Sequence, residues 1–340
     1  MPAQKNPAIS LCRVFSMFLI ILCHIINQYS FIPGSQFLKE VLNVGVYTFL
    51  AISGYLYGQK HIDRPMRWLV DRVIKICIPS ALLSVVVFAC VFLAEGTFDF
   101  SSFAAYSLNL QGFAFILPYT WLLFSEVEVL APLWFVTIIM LCYCMVPFLQ
   151  AIRSKLPSFK GCLVIGLILI AVCFATNIAI SVWLYYFVTF FFGYCMGHHG
   201  EKTCIRCFPF CGYALLTVIL QIIRLYLNSR MDGTAVYSSF IGISHTALGI
   251  CILCCFFLLY RFTPTLMERV ANSKILLWLD GISLYVYMTH AIFCYGKLSQ
   301  YAIFDNLLIA SISFFILSFV SAIVLQKISN YFSRIIIRNK

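Results

Sequence analysis

The sequence predicts an all-α, polytopic membrane helix bundle, and three observations lead to this fold class. Hydrophobic residues make up 62% of the 340 residues and charged residues only 10%, with a mean hydropathy of +0.97. No soluble core of this size requires so apolar a chain. The apolar residues also form runs of about 20, the length that a helix needs to cross a bilayer. Finally, the cations concentrate in alternate connecting segments. A lipid bilayer is therefore the first partner that the sequence predicts.

Ten apolar runs predict about ten transmembrane helices. They are 8–31, 41–59, 76–95, 131–151, 160–179, 182–199, 207–227, 237–260, 276–296 and 306–330. The first run is long and no small-x-small cleavage site follows it closely, so we interpret it as a retained helix rather than a signal peptide. We expect residues 1–340 to form a single transmembrane domain.

The distribution of cations predicts the orientation of the chain. If the N-terminus is cytoplasmic, 19 of the 23 Lys and Arg fall on the inner side, and only Lys39, Arg224, Arg230 and Lys297 fall on the outer side. This bias is the positive-inside signal, so both termini are predicted to be cytoplasmic. It also explains the formal charge of +11 without a nucleic-acid partner. For Arg224 and Arg230, snorkelling toward the interface is favoured over contact with an anionic acceptor.

Arg13 and His24 make the first span a candidate site. Eleven residues of helix advance about 1100° and rise about 16 Å, so the two side chains share one face. Ionisable groups within a span usually face a protein interior or a wet cavity. Counted from the inner ends, His24 lies about 24 Å deep and His290 of the ninth span about 21 Å deep. We therefore expect the two imidazoles to share a polar pocket in the outer half of the bilayer.

Small residues in the second and sixth spans indicate close helix packing. Gly45, Ser53 and Gly54 lie in the second span, and Gly193 and Gly197 lie four residues apart in the sixth. Such residues let two helix backbones approach closely. For Ser53, a packing role and a functional role both remain open.

The inner loop 60–75 is the most basic part of the chain. Arg72 and Lys75 lie one helical turn apart, just before the third span. They can anchor anionic lipid headgroups or hold a phosphorylated cytosolic cofactor, and neither role excludes the other. On the outer side, the apolar segment 113–124 is interrupted by Pro118, so we expect it to be interfacial or re-entrant.

The sixteen cysteines lie mostly within predicted spans or at their cytoplasmic ends, which indicates small apolar residues in a reducing setting. One inner cluster could hold zinc; its members are His198, His199, Cys204, Cys207 and Cys211. Its Cys-x-x-Cys pair has no second pair and runs directly into a hydrophobic helix. We therefore predict no metal site.

Six motifs follow one another over nearly the whole chain. They are Arg13-x10-His24; Gly45-Val46 with Phe49 and Ser53-Gly54-Tyr55; Arg72 to Pro79; Leu133-Trp134-Phe135 with Tyr143 and Pro147; Phe191 with Gly193-Tyr194; and Ser283-Leu284-Tyr285 to His290. In order and spacing they resemble the acyltransferase 3 family of integral-membrane O-acyltransferases, which includes enzymes that acetylate bacterial cell-surface sugars. Many polysaccharide acetyltransferases of the family carry Ser-Leu-x-x-Glu-Glu after the Trp. This chain reads Trp134-Phe135-Val136-Thr137 there, and so looks closer to the branch with Trp-Phe-hydrophobic.

The resemblance implies transfer of an acyl group, most simply acetyl, from cytosolic acetyl-CoA to a hydroxyl of an envelope polysaccharide or lipid-linked sugar, in the cell membrane. His24 would be the general base, and Arg13 would bind either a CoA phosphate or the thioester carbonyl. Arg72 and Lys75 would hold the nucleotide. The acceptor side would be lined by His290, Tyr287, Trp134 and Ser53.

A different class of function uses the same polar residues. A transporter-like module could move a small polar solute past Arg13, His24 and His290 without acyl transfer. Acetyl-CoA binding or hydrolysis by the purified protein favours the enzyme, whereas solute uptake without CoA dependence favours the transporter. A purely structural scaffold leaves two imidazoles and an arginine within spans unexplained.

Overall fold

The computed structural model describes residues 6–29, 33–113, 127–176, 181–200, 210–231 and 234–338, and helices dominate all of these ranges. The helices are α1 (Pro7–Gln28), α2 (Ser35–Leu42), α3 (Gly45–Gln59), α4 (Pro65–Glu95), α5 (Phe100–Ser107), α6 (Trp134–Ala151), α7 (Phe159–Thr176), α8 (Ser181–His199), α9 (Phe210–Met231), α10 (Ala235–Phe262), α11 (Pro264–Ala271), α12 (Lys274–Cys294), α13 (Gln300–Ile303) and α14 (Leu307–Arg338). Short 3-10 turns occupy Glu128–Leu133, Arg153–Lys155 and Gly296–Leu298.

Within the described residues, eight helical segments are long and apolar enough to cross a membrane. They correspond to all of the predicted spans except the fifth and the sixth. These two are helical as well, as α7 and α8. The all-α, polytopic fold class is confirmed, and the cytoplasmic placement of the termini stays a prediction.

Contacts at the helix ends agree with the predicted alternation of inner and outer segments. The Nζ atom of Lys297 lies 2.6 Å from Oε1 of Glu95, and both residues were predicted to be outer. Nη1 of Arg153 donates a hydrogen bond of 2.6 Å to the carbonyl of Lys60, and both of these were predicted to be inner.

Helix α4 begins eleven residues before the predicted third span. Arg72 and Lys75 therefore lie on a helix, and the expectation that residues 60–75 form a loop is wrong from Pro65 onward. Pro65 occupies the start of the helix, where proline is favoured because its fixed φ suits a helix and its missing N–H is not needed. Hydropathy detects only the apolar part of such a helix.

The second predicted span is interrupted. The segment begins at Ser35 rather than at 41, and α2 ends where the N–H of Asn43 donates to the carbonyl of Lys39. Helix α3 then starts at Gly45. At the other end of the chain, α14 continues to Arg338, past the predicted end at 330.

The described residues belong to two compact units, each built from separate stretches of the chain. The first unit comprises Met1–Cys23, Pro33–Asp63 and Phe148–Gly281, and the second comprises His24–Ile32, Arg64–Pro147 and Ile282–Lys340. Helices α1 and α12 contribute residues to both. Most of the predicted re-entrant segment 113–124 lies outside the described residues.

In the first unit, α3 packs most extensively against α8, and α10 packs against both. Four glycines form the seam between α3 and α8. A Cβ on Gly54 or Gly58 would collide with a backbone carbonyl of α8, and one on Gly193 or Gly197 would collide with a carbonyl of α3. The close approach predicted at Gly54, Gly193 and Gly197 is confirmed, and Gly58 completes the seam.

In the second unit, α4 packs against α5 and α14. Phe88 of α4 lies at the centre of an aromatic cluster with Phe98 and Phe103, at ring distances of 6.2 and 5.6 Å. The hydroxyl of Tyr287 in α12 donates to the carbonyl of Pro132. This bond fixes α12 against the turn that precedes α6.

Candidate functional site

His24 and His290 lie together in the second unit. Their ring centroids are 4.9 Å apart, and Nδ1 of His24 lies 2.7 Å from the hydroxyl oxygen of Tyr295. His24 comes from α1, His290 from α12, and Tyr295 directly follows α12. Counting residues along regular helices predicted two imidazoles at one level, and the structure brings them into contact.

The surroundings of His290 determine which of its nitrogens carries the proton. Nδ1 lies 2.6 Å from the carbonyl oxygen of Tyr287 and 3.2 Å from that of Val286. Carbonyls only accept hydrogen bonds, so Nδ1 must be the donor, and the neutral ring has a lone pair at Nε2. Nε2 is buried and has no hydrogen-bond partner among the described residues. A buried acceptor without a donor is costly, so this atom is suited to receive a hydrogen bond from a ligand hydroxyl.

Tyr287 and Trp134, the other acceptor-side candidates of this unit, differ in their surroundings. Tyr287 is buried, packs edge-on against Phe135 at 5.4 Å, and donates its hydroxyl to Pro132. Because its backbone carbonyl accepts a hydrogen bond from Nδ1 of His290, Tyr287 also holds that imidazole in place. Trp134 is half-buried at the first residue of α6.

Arg13 lies in the first unit and is paired with an acid. Its Nη1 donates to Oδ1 of Asp280 at 2.6 Å; the side chain of Asp280 is fully buried, whereas that of Arg13 is 25% exposed. The hydroxyl of Ser10 lies 3.4 Å from the second carboxylate oxygen. A buried charge needs such partners because desolvation is otherwise expensive.

Arg72 and Lys75 lie one turn apart on α4 in the second unit. The guanidinium carbon of Arg72 lies 6.0 Å from the ring centre of Trp68, within cation–π range. Its Nε is buried without a hydrogen-bond partner in the described part of the chain. Lys75 is exposed. No ion pair joins either cation to a carboxylate within the described ranges, so both charges are available to an anion.

Ser53 occupies a different unit from the other acceptor-side candidates. It is half-buried on α3 of the first unit, beside Gly54 of the glycine seam. His290, Tyr287 and Trp134 belong to the second unit. Its predicted substrate contact stays a prediction.

Arg224 does not snorkel, and this expectation is wrong. Its side chain is fully buried, Nη1 lies 2.6 Å from Oε2 of Glu40, and Nε donates to Gln221 at 3.0 Å. The Nε2 atom of His245 lies 3.1 Å from the backbone carbonyl of the same Glu40. The guanidinium therefore points into the first unit, because Glu40 of α2 provides a carboxylate partner there. Arg230, by contrast, is exposed near the ring of Tyr226.

The inner histidine and cysteine cluster is only partly described. His199 Nε2 lies 3.7 Å from the sulfur of Cys162. Within the described ranges, no group of three His, Cys, Asp or Glu side chains could hold a metal ion. Cys204 and Cys207 lie outside these ranges, so the prediction that concerns them stays a prediction.

Three residues of these groups were not singled out in the sequence: Asp280, Tyr295 and Glu40. Each has a recognisable signal. Asp280 is an acid within an apolar helix, and such a residue requires a partner. Glu40 lies on the predicted outer side, as does the otherwise unexplained Arg224. Tyr295 lies near the outer end of the predicted ninth span, on the same predicted side of the bilayer as His24.

Comparison with known proteins identifies the family. The acyltransferase 3 family model, described as an acyltransferase domain, matches residues 6–326. No curated protein and no solved structure matches the chain. The family match includes both imidazoles, Arg13, Asp280 and the basic start of α4. Since it covers nearly the whole sequence, the chain belongs to the acyltransferase 3 family and is a multi-pass membrane acyltransferase.

Proposed function

We propose that the protein transfers an acyl group, most simply acetyl, from cytosolic acetyl-CoA to a hydroxyl of an envelope polysaccharide or lipid-linked sugar. The family supplies the reaction class. The contact between His24, His290 and Tyr295 carries the proposal, because a hydroxyl acceptor must lose a proton and this group can take it. An acceptor in the envelope and a donor in the cytosol imply the cell membrane as the location.

His24 acts as the general base in this proposal. When Nδ1 of His24 donates to the oxygen of Tyr295, Nε2 is the basic nitrogen of the neutral ring. An imidazole suits this role because its unperturbed pKa lies near neutrality. The acceptor oxygen then attacks the thioester carbon, its proton passes to His24, and CoA leaves as the thiolate. Such base catalysis typically contributes about 10² to 10⁴ in rate.

His290 binds the acceptor beside the base. Its Nε2 is a fixed acceptor, because Nδ1 is held by two backbone carbonyls. A second hydroxyl of the acceptor that donates to this atom would place the reacting hydroxyl beside His24, whose ring centre lies 4.9 Å from that of His290. A site that supplies an acceptor selects ligands that carry a hydroxyl, since a ligand without one leaves Nε2 unpaired.

The donor is held by cations in this proposal. Arg72 and Lys75 carry no ion pair among the described residues and lie one turn apart on α4, so both can bind phosphate groups of CoA. The ring of Trp68 supports the guanidinium of Arg72. Arg13, on the same helix as His24, also acts on the donor side.

The experiment compares membranes containing the wild-type protein with membranes containing His24→Ala, both supplied with acetyl-CoA labelled in the acetyl group. We expect label to enter the envelope glycan or lipid fraction with the wild type and to fall at least 100-fold with His24→Ala. The matched control is His61→Ala, because the side chain of His61 is 75% exposed in the segment before α4. Undiminished transfer by His24→Ala would refute the base assignment.

A second measurement identifies the acceptor and tests the transport alternative. Mass spectrometry of envelope glycans with and without the protein should show a difference of one acetyl group on the acceptor. Uptake of a polar solute by vesicles without acetyl-CoA, together with unchanged glycans, would contradict the enzymatic function.

A further inference from the structure

Residues 108–112, which follow α5 in the second unit, form a turn that lies beside α4. Nδ2 of Asn109 lies 3.4 Å from the carbonyl oxygen of Cys77. Cys77 precedes Glu95, the last residue of α4, by 18 residues, which is about 27 Å of helix. The chain has therefore returned from the end of α4 toward its middle. At such a depth in a bilayer, irregular backbone is tolerated only where protein buries it or where it lines a cavity.

Hydrogen bonds to Thr137 of α6 fix this turn. The hydroxyl of Thr137 donates to the carbonyl oxygen of Asn109 at 2.7 Å, and the N–H of Gly112 donates to the same hydroxyl at 3.0 Å. Asn109 has a φ of +58°, a left-handed conformation that asparagine tolerates better than most residues. The turn therefore holds its two amide side chains, Asn109 and Gln111, in defined positions.

The amide of Gln111 is paired at one end only. Its Nε2 donates to the carbonyl of Leu133 at 2.8 Å. Because a carbonyl only accepts, the amide nitrogen must face it and Oε1 must point away. Oε1 is buried and has no hydrogen-bond partner among the described residues, and the same holds for Oδ1 of Asn109. Gln111 is 3% exposed and Asn109 7%, so both oxygens are acceptors shielded from solvent.

The other glutamines that are buried in the described part of the chain are paired at both ends. Gln300 donates Nε2 to a backbone carbonyl at 2.8 Å, and its Oε1 accepts from the hydroxyl of Ser313 at 2.7 Å. Gln221 also donates to a backbone carbonyl, and its Oε1 accepts from Arg224. Gln111 differs from both only in its unpaired oxygen. Such an atom is costly unless a further donor reaches it.

The unpaired oxygen of Gln111 lies near the acceptor-side residues of the second unit. Gln111 and Tyr287 donate to neighbouring carbonyls of one turn, those of Leu133 and Pro132. The carbonyl of Tyr287 holds Nδ1 of His290, whose Nε2 is buried and unpaired in the same way. Gln111 and His290 therefore both offer a ligand a lone pair, because their N–H groups are already bound to backbone carbonyls.

We propose that Gln111 and Asn109 bind hydroxyl groups of the acceptor other than the one that reacts. The acceptor is then a sugar with several free hydroxyls, not an alcohol with one. This inference rests on the proposed function and names residues that select its substrate. A site made of acceptors pairs with hydroxyl donors and discriminates against a ligand that lacks them.

The first experiment compares two acceptors that share one alkyl chain. Octyl β-D-glucoside carries four hydroxyls and n-octanol carries one, and both enter a bilayer. The purified protein in lipid nanodiscs receives labelled acetyl-CoA and either acceptor, with the glucoside below its micellar concentration. We expect kcat/KM for the glucoside to exceed that for octanol at least tenfold. Equal values for the two acceptors would overturn the proposal.

Variants then test the two amides. Gln111→Met keeps the length of the side chain but removes the oxygen. We expect it to lower kcat/KM for the glucoside at least tenfold, mainly through KM, and to change the value for octanol less than twofold. Asn109→Gly should act in the same direction, because glycine accepts the positive φ. A glucoside-to-octanol ratio that stays at the wild-type value in both variants would overturn the proposal.

Gln300→Met is the matched control, because it removes the same kind of bond to a backbone carbonyl. We expect it to keep the wild-type ratio. It also leaves the hydroxyl of Ser313 unpaired, whereas Gln111→Met leaves only a carbonyl unpaired, so Gln111→Met should melt higher without ligand. If it melts as low as Gln300→Met and keeps the wild-type ratio, a bound water fills the position and the proposal is overturned.

The outcomes separate this inference from the proposed function. If the wild-type protein transfers label from acetyl-CoA to neither the envelope fraction nor the two octyl compounds, the proposed function fails. If the envelope fraction takes label while octyl glucoside takes none, or if Gln111→Met leaves the ratio unchanged, only this inference fails.

Discussion

Alanine in place of Gly54 measures how closely α3 and α8 approach. A Cβ at Gly54 would lie against the carbonyl oxygen of Phe190 and 2.8 Å from the amide nitrogen of Tyr194. Both atoms belong to the backbone of α8, so neither can rotate aside as a flexible side chain would. The two helices must separate to accept one methyl group.

Two opposing contributions set the change in unfolding free energy of Gly54→Ala. Overpacking of a tight contact typically costs about 1–3 kcal/mol, and alanine gains about 0.5–1 kcal/mol over glycine within a helix. Because rigid backbone opposes the methyl group, we expect Gly54→Ala to lose about 1–2 kcal/mol of unfolding free energy. Gly58 faces Tyr194 one turn further along. Once the helices have separated, a second alanine costs less, so the double variant should lose less than the sum of the two.

Gly281 of α12 provides the matched control. A Cβ there would have no atom within 4 Å, and its φ is not positive. Gly281→Ala should therefore raise the free energy of unfolding by about 0.5–1 kcal/mol, which is the helical preference of alanine over glycine.

Thermal unfolding of the purified protein in detergent measures all four variants under one condition. We expect Gly54→Ala and Gly58→Ala to melt below the wild type and Gly281→Ala to melt at or above it. A Gly54→Ala protein that melts as high as Gly281→Ala would refute the close backbone contact between α3 and α8.

Three further predictions concern other groups. Arg224→Met alone should lose about 3–5 kcal/mol of unfolding free energy because Glu40 is left without its cation. The double variant Arg224→Met/Glu40→Leu should recover most of this loss in the same unfolding measurement. An equal loss in both variants would contradict a stabilising role for the ion pair. Tyr295→Phe removes the hydroxyl that contacts His24. This variant should lower turnover about tenfold and alter the pH dependence of the rate. An unchanged pH–rate profile would show that this hydrogen bond takes no part in the reaction. Asp99 caps the N-terminus of α5, and hydrogen bonds from serine hydroxyls in the first turn lower its pKa from 3.8 to about 2. The ionised cap therefore stabilises the folded protein above pH 3.8, and this stabilisation disappears as the pH falls through about 2. Asp99→Ala should therefore melt below the wild type at pH 7, with a difference that shrinks toward pH 2.

The sequence predicted where helices exist better than where they begin. An apolar run of about 20 residues requires a helix because a bilayer offers no hydrogen bonds to the backbone. The beginning of α4 at Pro65 and the end of α14 at Arg338 lie in polar sequence, where hydropathy carries no signal. The break before Gly45 depends on one turn of backbone, and the apolar run continues through it.

The candidate site was predictable wherever a regular helix connects its parts. His24 and His290 could be placed at similar depths, because depth along a helix follows from counting residues. The ion pairs were not predictable in this way. Arg13 and Asp280 are 267 residues apart, and tertiary packing alone brings their helices together. Spacing within a helix contains no information about a partner on another.

The ion pairs change how the remaining groups in the helices are interpreted. Arg13 is neutralised by Asp280 and Arg224 by Glu40, both within the first unit and both at 2.6 Å. Fixed charges within these helices thus cancel locally, which reduces the cost of placing them in a bilayer. The imidazoles of His24 and His290 can be neutral and need no counter-ion. A neutral base can accept a proton and return it, whereas a paired guanidinium cannot. In the proposed function, proton transfer therefore falls to His24, and the arginine is left with binding.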